Sequence, residues 1–568
     1  MKRAILFIFA LAITFSSFAA KISGVKPEGE GTEESPYLFT QVENFGWLAG
    51  QRDNIDAGTT VYCVQINDID ASRTKDGSFP GIVTENVNGK NRGMWTLNYD
   101  GQGFNIEDAY IGGSESHSAI FSRGFFQLKN INIVRAHNQV FDGMTLWSRG
   151  ILVGLMGRSG YIKNCHIRDT KISSGAGLVG DVICSDLEIS DCSVDAELPN
   201  SSAGLIRTVR NYGTVVIRNT SVKAKIALDA EETFTPAGFI NWLELYEGGV
   251  KTVIEDCYAD IEVSSPNPYV GTVGFIGYIG NLRRGEQVDF SINRCYSTGT
   301  PANMKLWASA SFLQRVYDCE PVINSCYYNA TTLLKEDKYA IPKTEEELKH
   351  QATFEGWDFE KVWAIDEGNG LPYLRMEIPE EYPELNVKYK GQGECTVENG
   401  VITITGGSYN KDTLSVTGVN GECRVKRIIA DRGLKKIKVA GDLEGLQVAG
   451  QLGTLFVNGG NLGKEGQDFA LIFDASQATI KVKATKRKDR AGSKAGLAVV
   501  GGNVKGNILC GTRDKAGKIT TLGTVKKLVT LGGNIENGKL VAEKIKSVIA
   551  KPKDGKGGQI IDFKTETN

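Results

Sequence analysis

The 568-residue chain carries 67 Gly and 14 Pro, 9% aromatic residues and a mean hydropathy of −0.20, which suits an all-β protein and, at this length, excludes a single compact core. Its net charge of −2 hides an asymmetry: 31 basic and 17 acidic residues follow Glu384, whereas 34 and 50 lie in the chain up to and including it, so an acidic front half is joined to a basic rear half. After the first 20 residues no segment approaches the roughly 20 apolar residues of a membrane-spanning helix.

Lys2 and Arg3, an apolar run over 4–13 and then Ser17-Phe18-Ala19 follow the charged, apolar and small-residue order of a secretory signal peptide. Residues 1–20 are therefore expected to be removed on export, to the extracellular space or cell surface, with the periplasm as the alternative. Thr40-Gln41-Val42-Glu43 is a capping box, and Val42, Phe45, Trp47 and Leu48 give the helix it opens one apolar side. Such a helix would cover the open first coil of a solenoid. TVYCVQIND at 60, MWTLNYDGQGFNI at 94 and FFQLKNINIV at 125 then predict strands joined by Gly and Asp-Gly turns.

A phrase recurs through the middle of the chain: a small-apolar pentapeptide, a polar stretch, then a strand-like run ending near a Cys. It reads Leu152-Val153-Gly154-Leu155-Met156 before IKNCHI, AGLVG at 176 before EISDCSV, and AGLIR at 203 before VIRNTSV. AGFIN at 237 precedes VIEDCYA, VGFIG at 273 precedes SINRCYS, and ASFLQ at 310 precedes VINSCYY. Self-similarity at spacings of roughly 25 to 37 residues marks a parallel β-solenoid, whose units bury their apolar faces only by stacking about 4.8 Å apart. In the fourth unit Val253, Ile254, Cys257, Ala259 and Ile261 would point inward, while Glu255, Asp256 and Asp260 face water or turns. The polar stretch, which varies most in length, would be a loop at one edge.

Cys165, Cys192, Cys257, Cys295 and Cys326 hold the same place in five units. They read as an internal ladder of small hydrophobic side chains, with disulfides as the alternative. A metal set would need Cys-x-x-Cys pairs or partners at ligand spacing, which the sequence lacks. The residues before them, Asn164, Asp191, Asp256, Arg294 and Ser325, suit a turn more than calcium ligation, which needs several converging oxygens.

Thr344 to Glu347 forms a second capping box, and residues 353–375, dense in aromatics, read as the closing cap of a front domain spanning 21–384. From 385 to 568 the pattern changes to short Val/Ile/Leu strands separated by Gly-Asn or Gly-Asp turns, as in GVITITG at 400 and LGTLFVNGGNLG at 452. The unit of roughly 18 to 22 residues predicts a second, Gly-rich β-solenoid. ATKRKDRAGSK over 484–494 reads as a basic loop between coils.

The repeats, the opening GEGTEESPYLFTQVENFGWLA and the closing FEGWDFEKVWAIDEGNGLPYLR resemble bacterial secreted proteins with GLUG-type repeats, over roughly residues 30–375. Their units carry a GGLVG-like phrase followed by an Asn-Cys-Tyr-Ala-like phrase. The chain departs from the pattern at Thr220, where a Cys is expected, and at Ser311, where a Gly is expected. The resemblance implies a right-handed parallel β-helix and an adhesin-like surface role, with no enzymatic site to carry over. The rear half is similar to Gly-rich C-terminal stacks of large exported bacterial proteins, which imply no particular function.

β-Helices also carry polysaccharide lyases and glycosidases, so the acids matter. Asp186 with Glu188 and Glu255 with Asp260 are the candidate carboxylate pairs, but no compact acid, His or Arg constellation accompanies them, and the four His residues are scattered. No triad, Walker or dinucleotide motif with its required context is present. Trp242 with Tyr246, and Tyr327 with Tyr328, are candidate sugar-stacking platforms, whereas Trp357 with Trp363 reads as cap core. Lys486, Arg487, Lys488 and Arg490 in the basic loop are candidate contacts to an anionic glycan or envelope polymer, the alternative being a solvated excursion. Nucleic acid is not expected, since no aromatic reading platform accompanies the basic residues. The sequence thus predicts an all-β, exported, non-catalytic, adhesin-like protein without cofactor or metal that binds a cell-surface glycan or anionic envelope polymer. A polysaccharide-active enzyme and a structural envelope layer are the alternatives.

Overall fold

The computed structural model describes residues 22–566 except 34, 78, 87–92, 113–117, 142–143, 147–149, 174, 284, 286–287, 378–381, 407–410, 432, 450–451, 453–454, 464–470, 475–478, 481–496, 501–502, 506–507, 514–518, 523, 526–527, 543 and 554. The expected signal segment 1–20 and the basic loop 484–494 lie outside the described residues. Among the described residues the chain is β throughout, apart from the helices Val42–Gly50 and Glu345–Leu348 and single 3-10 turns. It forms two units. One takes Thr40–Thr60 and Gln65–Leu374 with the described residues before Pro27; the other takes Arg375 onward together with Pro27–Phe39 and Val61–Val64.

In the front unit like segments of successive repeats pair in parallel. Val153–Lys171 pairs with Val179–Ser190 and Ser193–Glu197, and these pair with Ile206–Ala227. Ile206–Ala227 pairs in turn with Ile240–Leu245 and Lys251–Ser264, which continue onto Ile276–Asn281, Asp289–Asn293 and Tyr296–Thr300. The pentapeptides align through single parallel bridges, Ala176 to Ala203 to Ala237 to Val273 to Ala310. Beside them Phe239, Phe275 and Phe312 stack with centroids 4.6 and 4.8 Å apart and interplanar angles of 12° and 9°. That spacing is the interstrand distance of a sheet, so the rings repeat with the backbone.

The glycine in the pentapeptide answers to a close approach. A Cβ at Gly177, Gly204, Gly238 or Gly274 would lie 2.3, 2.2, 2.1 or 1.9 Å from the carbonyl oxygen of the equivalent residue one repeat on. Ser311 breaks the pattern at the final repeat of the series, where its hydroxyl donates instead to the Leu333 carbonyl at 2.9 Å.

The cysteine places form a continuous inner column. Ile131 pairs with Cys165 and Thr220 with Cys257, and all five repeat cysteines are buried and free. Each follows a residue with positive φ: Asn164 at 51°, Asp191 at 56°, Asp256 at 52°, Arg294 at 52° and Ser325 at 49°. Asn and Asp tolerate that left-handed conformation better than other side chains, which explains the preference the sequence displays. At the corner the chain changes direction, and the following side chain donates back to the carbonyl two residues earlier. Cys165 donates to Lys163, Cys192 to Ser190, Cys257 to Glu255, Cys295 to Asn293 and Cys326 to Asn324, at 3.1 to 3.3 Å. Thr220 makes the same bond to Arg218 at 2.8 Å, so it performs the cysteine's local task. The corner side chains also link repeats: Asn164 donates to Asn130 at 2.8 Å, Asn219 to Asp191, and the Arg294 guanidinium to both Asp256 oxygens at 2.8 and 2.6 Å.

Both expected helices form, with one correction to their caps. Helix Val42–Gly50 begins one residue later than the Thr40–Glu43 box requires: Asn44 accepts the Gln41 and Thr40 N–H groups at 3.1 and 2.9 Å, while Glu43 pairs with Arg73. Its Phe45 is buried against Phe79, Tyr99 and Phe121. The Thr344 box is as expected, with reciprocal bonds between Thr344 and Glu347 at 3.2 and 2.8 Å. Behind it, Trp357 and Trp363 lie 4.1 Å apart and are buried with Phe354, so this pair is core rather than a sugar platform. Tyr327 and Tyr328 are likewise buried.

The rear unit opens with antiparallel pairs, Leu385–Lys390 with Thr413–Gly418 and Glu394–Glu398 with Val401–Thr405, and then runs mainly parallel, with a later antiparallel pair of Ile508–Arg513 and Ile519–Leu522. One sheet passes through Thr413–Gly418, Lys436–Val439 and Leu455–Asn458, the other through Val401–Thr405, Arg427–Ala430 and Leu446–Ala449. Ile402, Val416, Ile437, Leu446 and Val457 are buried in their common core. The Gly-Asp and Gly-Asn turns stack. Asp442 accepts the Asn461 N–H at 2.6 Å, Asn461 that of Asn503 at 2.8 Å, Asn503 that of Asn534 at 2.8 Å, and Asn534 that of Gln559 at 3.2 Å.

Candidate binding surface of the front unit

Strand Ile240–Leu245 buries Ile240, Leu243 and Leu245, so the alternate residues Trp242 and Glu244, and Tyr246 just beyond the strand, project outward. The Glu244 carboxylate joins the two aromatics, accepting the Trp242 indole N–H at 2.9 Å and the Tyr246 hydroxyl at 3.0 Å. Arg210 from the preceding repeat stands 3.4 Å from the same carboxylate. Burial first, then the hydrogen bond to Glu244, raises the Tyr246 pKa, so the phenol stays a donor at neutral pH. Each aromatic has a partner on a neighbouring repeat: Trp242 stacks on Tyr278 at 4.1 Å and 19°, and Tyr246 on Tyr212 at 4.7 Å and 23°. Tyr278 meets Tyr317 at 5.5 Å.

This column reads Thr208, Trp242, Tyr278, Arg315 in parallel register. Tyr278 covers one face of Trp242, and the neighbour on the other side is Thr208, too small to cover an indole. Trp242 is accordingly 42% exposed. A carboxylate offers about four lone-pair sites, and Glu244 has acceptor capacity beyond its two aromatic donors. An open indole face beside a fixed hydrogen-bond acceptor is an arrangement that takes an amphipathic ring with hydroxyl groups.

A second outward surface is charged. A groove of about 600 Å³ is lined by Lys171, Asp195, Glu197, Lys223, Lys225, Asp260 and Glu262, among others, whose rows alternate in sign across parallel strands. Lys171 meets Glu197 at 2.6 Å and Lys225 meets Glu262 at 3.8 Å. The hydrogen bond from Lys171 lowers the Glu197 pKa, whereas burial raises that of Asp260 against the opposing charge of Lys223. Opposite charges facing across strands are an ordinary stabilising pattern of a solvated sheet.

The carboxylate pairs singled out in the sequence are engaged separately. Glu188 lies between Lys163, at 2.6 Å, and Arg218, while Asp186 meets the Ser159 hydroxyl at 3.3 Å. Glu255 is held by Arg294 at 3.0 Å and falls on the other side of the Asp256 corner from Asp260. Among the described residues no group of three or more His, Cys, Asp or Glu side chains is arranged to hold a metal. Burial pushes the Cys192, Cys295 and Cys326 thiols well above their ordinary pKa, which keeps them protonated and poor nucleophiles.

No protein-family model and no curated protein sequence matches the chain. It is similar in structure to a candidate immunoglobulin A1 protease from Bacteroides ovatus. That match is 15% identical over 61% of this chain and 94% of the other, with a TM-score of 0.35, a level that carries no argument about fold or activity.

Of the binding residues expected from sequence, Trp242 and Tyr246 meet at one carboxylate, while Lys486, Arg487, Lys488 and Arg490 lie outside the described residues. Sequence reasoning missed Glu244, Tyr212, Tyr278 and Arg315. The signal was available in the alternation of NWLELY and in the fourth place after the second residue of each pentapeptide, Gly238, Gly274 and Ser311, where Trp242, Tyr278 and Arg315 stand. No helix among the described residues is long and apolar enough to cross a membrane.

Proposed function

We propose that the protein is an exported, non-catalytic, adhesin-like surface protein. In this reading the front unit is a right-handed parallel β-helix of the GLUG-repeat kind, and the rear unit is a second, Gly-rich β-solenoid. Parallel pairing of like segments supports the helical winding, and the near-universal right-handedness of parallel crossovers supports its hand. The observation that carries the binding role is the outward aromatic column, in which Trp242 keeps an open face beside Glu244. The ligand class is a cell-surface glycan. Binding of the intact protein to a glycan panel tests this: we expect retention of specific glycans that Trp242→Ala weakens about tenfold, the scale of losing one buried aromatic contact. Unchanged binding in that variant, or no glycan retained at all, would refute the role given to this column.

The charged groove favours one competing reading, a polysaccharide-active enzyme, because Asp260 is shifted toward its protonated form and Glu197 toward its ionised form. Lysines stand between the acids along each row, and the same alternation neutralises them as a structural surface. Reducing-end and unsaturated-product assays on acidic and neutral polysaccharides are expected to stay at background. Turnover abolished by Asp260→Asn or Glu197→Gln would establish the enzyme instead.

A further inference from the structure

We infer that the front unit carries a separate site for a pyranose ring bearing a carboxylate, built around Trp307 and Arg315; this rests on the glycan-binding reading and names the class of sugar. Trp307 is 77% exposed, far more than the aromatics of the neighbouring column. It is not a loose side chain on a loose loop. Ser309 donates its N–H to Leu306 O at 3.1 Å and its hydroxyl to Asn303 O at 2.5 Å. Asn303 donates to Pro268 O at 3.0 Å, and the Lys335 ammonium donates to Leu306 O at 2.6 Å. The loop therefore displays a large apolar ring to water in a fixed position, which lowers the ordering cost of binding.

The Arg315 guanidinium lies over the Trp307 ring with its central carbon 4.5 Å from the centroid. Among the described residues it has no carboxylate partner, in contrast to Arg135, Arg218 and Arg294, which are all paired with acids. Arg315 occupies the place in its column that Trp242 and Tyr278 hold in the two preceding repeats. One face of Trp307 thus holds a cation whose fork of N–H donors remains available, and the other face is open. Together they border a groove of about 540 Å³ that Tyr317, Lys335, Lys338 and Tyr339 also line. This size lies within the roughly 300–1,000 Å³ of ligand sites.

One of the groove's two acids is occupied by backbone N–H groups. Asp337 accepts the N–H groups of Phe312 and Leu313 on one oxygen and that of Tyr339 on the other, each at 2.8 Å. The remaining charges lining the groove are Arg315, Lys335 and Lys338 against Glu336. A sugar stacked on the open indole face would place a ring carboxylate within reach of the guanidinium fork, a bidentate geometry that lysine cannot supply. Neutral sugars would gain the stacking without the ion pair.

The test is calorimetric titration of the intact protein with trigalacturonate, 3′-sialyllactose and neutral galactotriose at low salt. Uronate and sialate share the carboxylated ring, and the first two ligands decide which of them the groove accepts. We expect at least one acidic ligand to bind about tenfold or more tightly than the neutral one. Trp307→Ala should weaken that ligand by about tenfold, and Arg315→Gln should bring acidic and neutral ligands to equal affinity. Trp307→Phe, which keeps a stacking ring, should restore most of the binding and separates a lost contact from a lost fold. Equal affinity of the intact protein for acidic and neutral ligands, or acidic binding that survives both Trp307→Ala and Arg315→Gln, overturns the site. Glycan retention that depends on Trp242 but shows no acidic preference overturns this inference while leaving the adhesin reading in place.

Discussion

Gly274 and Ser311 occupy the same place in consecutive repeats, and the backbone facing each of them explains the difference. A Cβ at Gly274 would sit 1.9 Å from the Ser311 carbonyl oxygen, a backbone atom fixed by the next strand, whereas the Ser311 side chain has room to reach Leu333 O. Gly274→Ser should therefore destabilise by about 3 kcal/mol, the upper range for overpacking. Ser311→Gly should cost only about 1 kcal/mol, one lost hydrogen bond. Thermal midpoints of the two variants check the contrast, and a smaller loss for Gly274→Ser than for Ser311→Gly would contradict the close-approach account. The cysteine column obeys the same local logic. Thr220 reproduces the hydrogen bond of Cys257 to the carbonyl two residues back, so Cys257→Thr should keep its thermal midpoint better than Cys257→Val, which leaves the Glu255 carbonyl without that donor.

At the scale of strands and corners, His166 bridges two repeats, with Nδ1 2.8 Å from the Ser193 hydroxyl and Nε2 3.0 Å from Asn164 Oδ1. Burial pushes its pKa down to about 4, with the charge of Arg168 adding to the effect. In the unfolded chain the imidazole titrates near 6.5, so between about pH 6.5 and 4 the unfolded state binds the additional proton. Its contribution is thus fully present above about pH 6.5 and is lost as pH falls toward 4. Urea midpoints should drop across that window, and His166→Gln should flatten the drop by less than the full slope of about 1.4 kcal/mol per pH unit, because the half-buried ring is partly screened. An unchanged pH dependence in the variant would remove His166 as the source. The repeat phrase made the strands, their parallel partners and the inner cysteines legible, because stacking forces like residues onto like. It made the Asn/Asp corners legible only as turns. Nothing local in a Gly-Asn dipeptide says whether its side chain caps its own turn or, as at Asn461 and Asn503, receives an N–H from the next repeat. The aromatic column was half visible for the same reason: Trp242 and Tyr246 stand close in sequence, whereas Tyr278 and Tyr212 reach them only across repeats.

For the molecule as a whole, the division of charge is a property of sequence that local packing does not absorb. The rear half carries 14 more basic than acidic residues after Glu384, and the front half 16 more acidic than basic, although the chain is nearly neutral overall. A nearly neutral protein with uniformly mixed charge would show little attraction to a polyanion, so retention at low salt has to arise from the local excess. Part of that excess is displayed on outward strand positions of the rear unit, where Lys388, Lys390 and Lys438 are exposed while Ile437 and Val439 point inward. The densest part is the stretch containing Lys486, Arg487, Lys488 and Arg490. We predict that the intact protein binds an anionic envelope polymer or heparin matrix at low ionic strength. It should elute as salt rises through about 0.1 M, where the Debye length falls to about 10 Å and exposed charges cease to act beyond their nearest neighbours. Replacing the four basic residues with Gln should move elution to lower salt, while Lys388→Gln with Lys438→Gln should move it less, because two charges are removed instead of four. Failure to bind at low salt would eliminate the envelope role of the rear half, and elution unchanged by the fourfold replacement would move that role to the outward strand lysines.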